Sequence, residues 1–277
     1  VRSWAARSTR APSRSPKRWT WPLTEHDPRL TDSAGQPWKG RHFESHGSET
    51  DDGSAPAELI AAIERFRAGR GGQAEVVDAL RGVRLLVPLV AHAGEEGVTD
   101  AGLRVDKTQE LSLVTVAAPD GRRVLPAFTS VGALSAWNPK ARPIPVEARR
   151  AALAAAAEGT ELVVLDPASP TEFVLRRPAV WALAQDLSWT PAPLDPGVAE
   201  AFAASVADEA AVATVRLEPG DPDALFRGPE VHVVVALVPG LDQAQLNALV
   251  ARLQTSWAAD ATIAERVDSL GVRLTAS

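Results

Sequence analysis

Three prolines fall within six residues in the segment Ser188-Trp189-Thr190-Pro191-Ala192-Pro193-Leu194-Asp195-Pro196. Such a run can neither continue a helix nor donate to the interior of a sheet, so it predicts a stiff, extended connection between two folded parts. The 277 residues then divide into a larger unit over 31–187, a linker over 188–196 and a smaller unit over 197–277, each long enough to bury a core. Residues 1–30 are set apart as a basic tail that is disordered or lies upstream of the true start. Val1 reads as the literal translation of a GTG start codon, and the chain holds no methionine at all.

In the larger part, Leu59, Ile60, Ile63 and Phe66 recur at helical spacing, with Ser54 as the expected cap and Gly69 as the stop. A short helix over Gln73–Leu80 leads into the branched apolar run Val83–Val90, read as a buried strand. The plainest local signal is Pro119-Asp120-Gly121 between Leu111–Ala118 and Arg122–Phe128. Proline presets the first turn position and glycine accepts the left-handed one, so two strands are expected to pair antiparallel there. Ser130 is expected to cap a helix ending at Trp137. Pro139–Pro145 then reads as a connector, followed by an alanine-rich helix over Val146–Glu158, strands over Glu161–Leu165 and Glu172–Arg176, and a helix over Pro178–Ala184. Beyond the prolines the expected order is helix, strand, strand, helix, strand. Val231–Val238 is the strongest strand there, and Leu246, Leu249, Val250, Leu253 and Trp257 share one helical face. The fold class is therefore α/β (α+β): a mixed sheet with helices, followed by a second small α/β domain.

Composition removes several chemistries. The chain has no cysteine, which excludes disulfides, thiolate metal sites and thiol catalysis of the rhodanese or thioredoxin kind. It has no tyrosine to act as acid or base. No apolar run approaches the roughly 18 residues of a membrane helix. Arg2, Arg7, Arg10, Arg14, Lys17 and Arg18 precede the first acid, Glu25. Taking those six positive charges from the net −6 leaves about −12 on the remainder. An acidic body argues against nucleic acid as the main partner, leaving only the basic tail for such a role. The tail lacks the apolar core of a secretory signal, and a cytoplasmic protein is expected.

Recognised catalytic motifs are missing: no glycine-rich phosphate loop, dinucleotide fingerprint or serine elbow occurs. His42-Phe43-Glu44-Ser45-His46 has metal-like spacing but sits in a polar stretch and lacks the helical pattern of zinc hydrolases, so a solvated pair is expected. Asp51-Asp52-Gly53 resembles part of a calcium loop, yet its twelfth position would be Leu59 where an acid is required. No cofactor and no metal is expected. His92 follows a strand and Asp166 ends one, positions that often carry function in α/β proteins. A satisfied loop histidine and a turn residue before Pro167 are the plainer readings. Arg176-Arg177 opens a helix and can hold an anion, against the plainer reading of a surface pair facing nearby acids. Trp137 and Trp181 are expected in the core, and His232 half-exposed on its strand.

The segments Leu125-Pro126-Ala127-Phe128 through Trp137, and Leu162-Val163-Val164-Leu165-Asp166-Pro167 through Phe173-Val174-Leu175, resemble the SseB family, in particular its actinobacterial members. The shared pattern is a strand ending in L-P-x-F, a short helix ending in Trp, an alanine-rich helix, and a strand ending in an Asp-Pro turn. The resemblance covers residues 31 to 187 and implies a mixed-sheet domain followed by a smaller one. It carries over no catalytic residue. Phe128, Trp137, Asp166, Pro167 and Phe173 match the pattern, either as packing and turn residues or as part of a shared ligand or partner groove. The candidate groove is therefore His92, Phe128, Trp137, Asp166, Arg176 and Arg177. The leading expectation is a non-enzymatic interaction or regulatory protein with a protein partner. The alternative is a small-molecule-binding or enzymatic domain with its site near the Asp166 turn.

Overall fold

A computed structural model describes residues 51–89, 97–98, 104–105, 115–118, 120–157 and 159–277; His42, His46 and His92 lie outside the described residues. Helix α1 (Ala57–Arg67) buries Leu59, Ala62 and Ile63, with Glu58 in its first turn and Arg65 and Arg67 in its last, signs that suit the helix dipole. Its N-cap is Pro56 rather than the expected Ser54, whose N–H is taken by the Asp52 carboxylate. Helix α2 (Gln73–Ala79) and strand β1 (Arg84–Leu89) follow as expected. A two-residue ladder pairs β2 (Gly97–Val98) with β3 (Arg104–Val105).

The hairpin forms between β4 (Val116–Ala117) and β5 (Arg123–Ala127), closed by a Gly121 N–H to Ala118 carbonyl bond of 2.9 Å with Gly121 at φ +92. Helix α3 (Val131–Trp137) is capped by Ser130, whose Oγ accepts the Ala133 N–H at 3.1 Å. The segment expected as a proline connector is instead a strand, β6 (Arg142–Glu147), antiparallel to β1. Its prolines are tolerated because of register. Leu86, opposite Pro145, turns its N–H and carbonyl the other way, to Phe128, so the proline positions owe β1 no hydrogen bond. The alanine-rich helix α4 (Ala148–Ala157) consequently starts two residues later than its sequence suggests.

Strands β7 (Val163–Leu165) and β8 (Phe173–Leu175) complete a mixed sheet in the order β4-β5-β7-β8, with β5 and β7 parallel. Helix α5 (Arg177–Gln185) closes this half. Side chains alternate as pleating requires. Leu125, Ala127, Val163, Leu165, Phe173 and Leu175 face α1, α2, α4 and α5, while Val124, Leu162, Val164 and Val174 face the opposite side.

The prolines do not run fully extended: Ala192–Leu194 make a single 3-10 turn, and Ala192 is buried in the second core. Pro196 opens α6 (Pro196–Ser205), capped by the Asp195 carboxylate. Strands β9 (Val212–Pro219), β10 (Val231–Leu237) and β11 (Leu270–Ala276) form a sheet in the order β9-β10-β11. The β9–β10 pair is antiparallel, and β10–β11 is parallel across α7 (Gln243–Ala259) and α8 (Ala261–Arg266). Val231, Val233 and Val235 meet Phe202, Leu249, Leu253 and Trp257. The Trp257 indole N–H donates to Ser205 Oγ at 2.8 Å, satisfying its one polar atom. The whole is an α+β fold, as the sequence pattern predicts. Among the described residues no helix is long and apolar enough to cross a membrane.

Candidate functional site

Two polar centres stand at opposite ends of the first sheet. At the ends of β5 and β7, Asp166 follows the last residue of β7 at φ +41 and is buried. Its carboxylate accepts the Thr129 N–H at 2.8 Å, the Thr129 hydroxyl at 2.7 Å and the Thr171 hydroxyl at 2.7 Å. Its own N–H goes to the Ala127 carbonyl. A buried carboxylate is tolerable with that many donors, and Asp166 thereby ties the turn after β7 to the end of β5. Beside it, Phe128 is fully buried with its ring centroid 5.1 Å from that of Trp137, in a small cluster with Leu86, Leu134 and Ala141.

The second centre lies where the halves meet. The loop between β9 and β10 reaches across to the first sheet: the Val174 N–H donates to the Ala224 carbonyl at 2.8 Å, and Phe226 packs on Val124, Leu162, Val164 and Val174. The neck of that loop admits only glycine at Gly220, where a Cβ would stand 2.2 Å from the Pro229 carbonyl oxygen. Arg67, at the end of α1, donates to the carbonyls of Glu172 and Asp223 and so holds the loop from the other side.

Arg176, the N-cap of α5, is buried beneath this loop. Its Nη2 reaches Asp221 at 2.8 Å and the Gly228 carbonyl at 2.7 Å, while Nη1 reaches Asp268 at 3.2 Å and Ser269 Oγ at 3.0 Å. Asp268 also receives a bidentate Arg122 fork at 2.9 and 3.0 Å. Both guanidiniums lie over the Phe226 ring, at 4.8 Å for Arg176 and 4.9 Å for Arg122. Burial pushes the Asp268 carboxyl up, but the two arginines outweigh it and hold the group below the ordinary carboxylate range. Glu230 is different: burial raises its carboxyl to about 7, offset only in part by the Asp268 N–H it accepts at 2.6 Å. Arg177 is a fastener of another kind, donating to the carbonyls of Ala264, Glu265 and Val267 at the end of α8.

The structure thus brings Phe128, Trp137 and Asp166 together and sets Arg176 and Arg177 apart from them, past the opposite end of β7 where β8 leads into α5. Arg176 is not the surface residue its sequence context suggests, because Asp221 and Asp268 come from distant sequence to neutralise it. Trp181 is likewise not in the core. The buried stripe of α5 runs through Ala179, Val180 and Leu183, which leaves the Trp181 side chain 44% exposed. Asp51 pairs with Arg84 and its neighbours form tight turns, a structural use of that acidic triplet. His232 sits half-buried on β10 opposite Gly271. Sequence reasoning missed Arg122, Asp221, Glu230 and Asp268. The available signals were Glu230 abutting the valine-rich strand and glycine-proline pairs framing the loop, but nothing in sequence pairs them with Arg176.

Residues 59–182 match the family model described as the SseB protein N-terminal domain. The match runs from α1 into α5, so it contains Phe128, Trp137, Asp166, Arg176 and Arg177 but stops before Asp221, Glu230 and Asp268. No curated protein and no solved structure matches the chain.

Proposed function

We propose that this SseB family protein, whose residues 59–182 form the family's N-terminal domain, is a cytoplasmic interaction or regulatory protein that binds a protein partner rather than turning over a substrate. What supports this is the division of labour between buried and exposed groups. The ionisable side chains that converge at the junction are committed to one another or to backbone groups, whereas large apolar side chains stand outside on the first half. Leu153 on α4 is 60% exposed, Trp181 on α5 is 44% exposed and Leu187 just after α5 is 56% exposed. Helices α4 and α5 pack against each other, and an exposed tryptophan is the kind of side chain that anchors protein-binding surfaces. The arginine-rich, lysine-poor composition fits the actinobacterial type of the family. Asp166 fits this reading better than a reaction centre at its turn, because a substrate there would have to displace three hydrogen bonds that hold two strand ends together.

A photo-crosslinking residue placed at Trp181 in the intact chain, inside cells, tests the reading against the same residue at the exposed control Glu200. A defined heteromeric adduct from position 181, lost on Leu153→Ser, is expected. Adducts that are equal from both positions, or absent from both, would overturn it.

A further inference from the structure

The junction leaves a cleft of about 180 Å3, with Phe66, Pro191, Leu194 and Pro222 among its walls and Arg176 and Glu230 exposed to it. That is room for about six waters at roughly 30 Å3 each. The charged groups that reach it are unequally satisfied. Arg176 gives its two terminal nitrogens to four acceptors. Asp221 accepts Arg176 and the Leu225, Phe226 and Arg227 N–H groups. Glu230, only 8% exposed, accepts the Asp268 N–H through Oε2 and makes no ion pair among the described residues. Asp221 and Asp268 are paired with Arg176 and Arg122, and Arg177 spends its donors on carbonyls, so of the three carboxylates here Glu230 is the one without an ion-pair partner among the described residues.

We propose that this cleft binds a small primary ammonium compound, its nitrogen against the Glu230 carboxylate and an aliphatic or aromatic body of about six heavy atoms against Phe66 and the prolines. An anion is disfavoured, since the guanidinium it would seek is already occupied. A neutral apolar molecule would fill the walls but leave the carboxylate as it was. The raised protonation of Glu230 is what a buried carboxylate without its counter-charge should show, and it makes recognition depend on pH. The α1 and α2 side of the cleft adds Gln73 but no charged side chain, the proline segment adds none, and the groups facing Glu230 are Arg176, Arg177 and Asp268. This site is separate from the Trp181 surface, so its failure would leave the interaction reading standing, and the reverse holds too.

The experiment is an NMR titration of the full chain with n-butylammonium chloride, alongside 1-butanol as the neutral molecule of equal size. Saturable shifts in the Phe66, Gln73 and Glu230 amides are expected at about pH 8, weakening roughly tenfold or more by about pH 5.5 as Glu230 takes a proton. Glu230→Gln should abolish the preference for the amine over the alcohol. Leu194→Trp, which blocks the mouth from a side chain 70% exposed and so outside the core, should abolish binding of both and serves if the Gln variant fails to fold. Equal binding of the alcohol, no saturable shift, or amine binding indifferent to these substitutions would overturn the proposal.

Discussion

Arg176 Nη2 stands 2.8 Å from Asp221 Oδ2, with both side chains buried, across 45 positions of sequence. One residue belongs to the first half and the other to a loop of the second, so the ion pair exists only when the halves are docked. A buried pair of this kind adds little net stability compared with well-packed apolar residues, because both charges are stripped of water. Its effect is on specificity: it penalises any docking in which either charge is left alone.

Removing the cation should therefore cost more than the pair contributes. Arg176→Met keeps the volume but strands Asp221 and leaves Asp268 with Arg122 alone. A loss of about 3 to 5 kcal/mol is expected in urea unfolding. The conservative Arg177→Met, at a residue that binds carbonyls rather than carboxylates, should cost clearly less.

Stability should fall as the solution turns from acid to neutral. Folded Glu230 keeps its proton up to about pH 7, whereas an unfolded glutamate releases it near 4.5, so this contribution is complete below 4.5 and lost as pH rises through 7. Its size is about 3 kcal/mol at most. Asp268 acts in the opposite sense, but at lower pH: its folded carboxyl is held below the ordinary value of 3.8, so its contribution disappears only in stronger acid. Between about pH 5 and about pH 8 urea midpoints of the native chain should decline relative to those of Glu230→Gln, which keeps the opposing contribution of the His232 imidazole, held below its ordinary value by burial. Profiles of the same slope for the two chains would contradict the burial of an unpaired carboxylate.

Asp166→Ala leaves the Thr129 N–H buried without its acceptor and removes the bonds of two threonine hydroxyls. A loss of about 2 to 4 kcal/mol is expected, with Asp166→Asn milder because an amide oxygen still accepts. Thermal unfolding of the pair provides the check.

The two ring residues beside it should separate by burial. Phe128 is 0% exposed, and Phe128→Ala should cost about 3 to 5 kcal/mol. Trp137, only partly buried at the end of α3, should lose less on truncation to alanine. Equal losses would mean that Trp137 contributes to the core as fully as Phe128.

Much of this architecture can be read from local chemistry. The Asp120-Gly121 turn, the Ser130 cap and the Gly159 stop after α4, at φ +63, act within a few residues and show in the sequence. Strand β6 escaped because proline normally argues against a strand, and its tolerance depends on register against β1, a long-range property. Trp181 escaped because helical spacing marks several faces and only packing selects one. Of the candidate groove, Phe128, Trp137 and Asp166 do come together, drawn from just past the end of β5, the end of α3 and the turn after β7. The junction charges were illegible for a different reason. Arg122, Arg176, Asp221, Glu230 and Asp268 are brought together by the loop between β9 and β10 and by the start of β11, and no residue's neighbours in sequence announce its partner in space.

Hydrogen exchange of the native chain against Arg176→Met, read peptide by peptide, tests most directly whether these charges fasten the two halves. Protection should fall together in β8, in the 220–230 loop and at the start of β11, including the Val174 and Asp268 amides that cross or border the junction. A loss confined to α5, with the loop and β11 protected as before, would contradict the account.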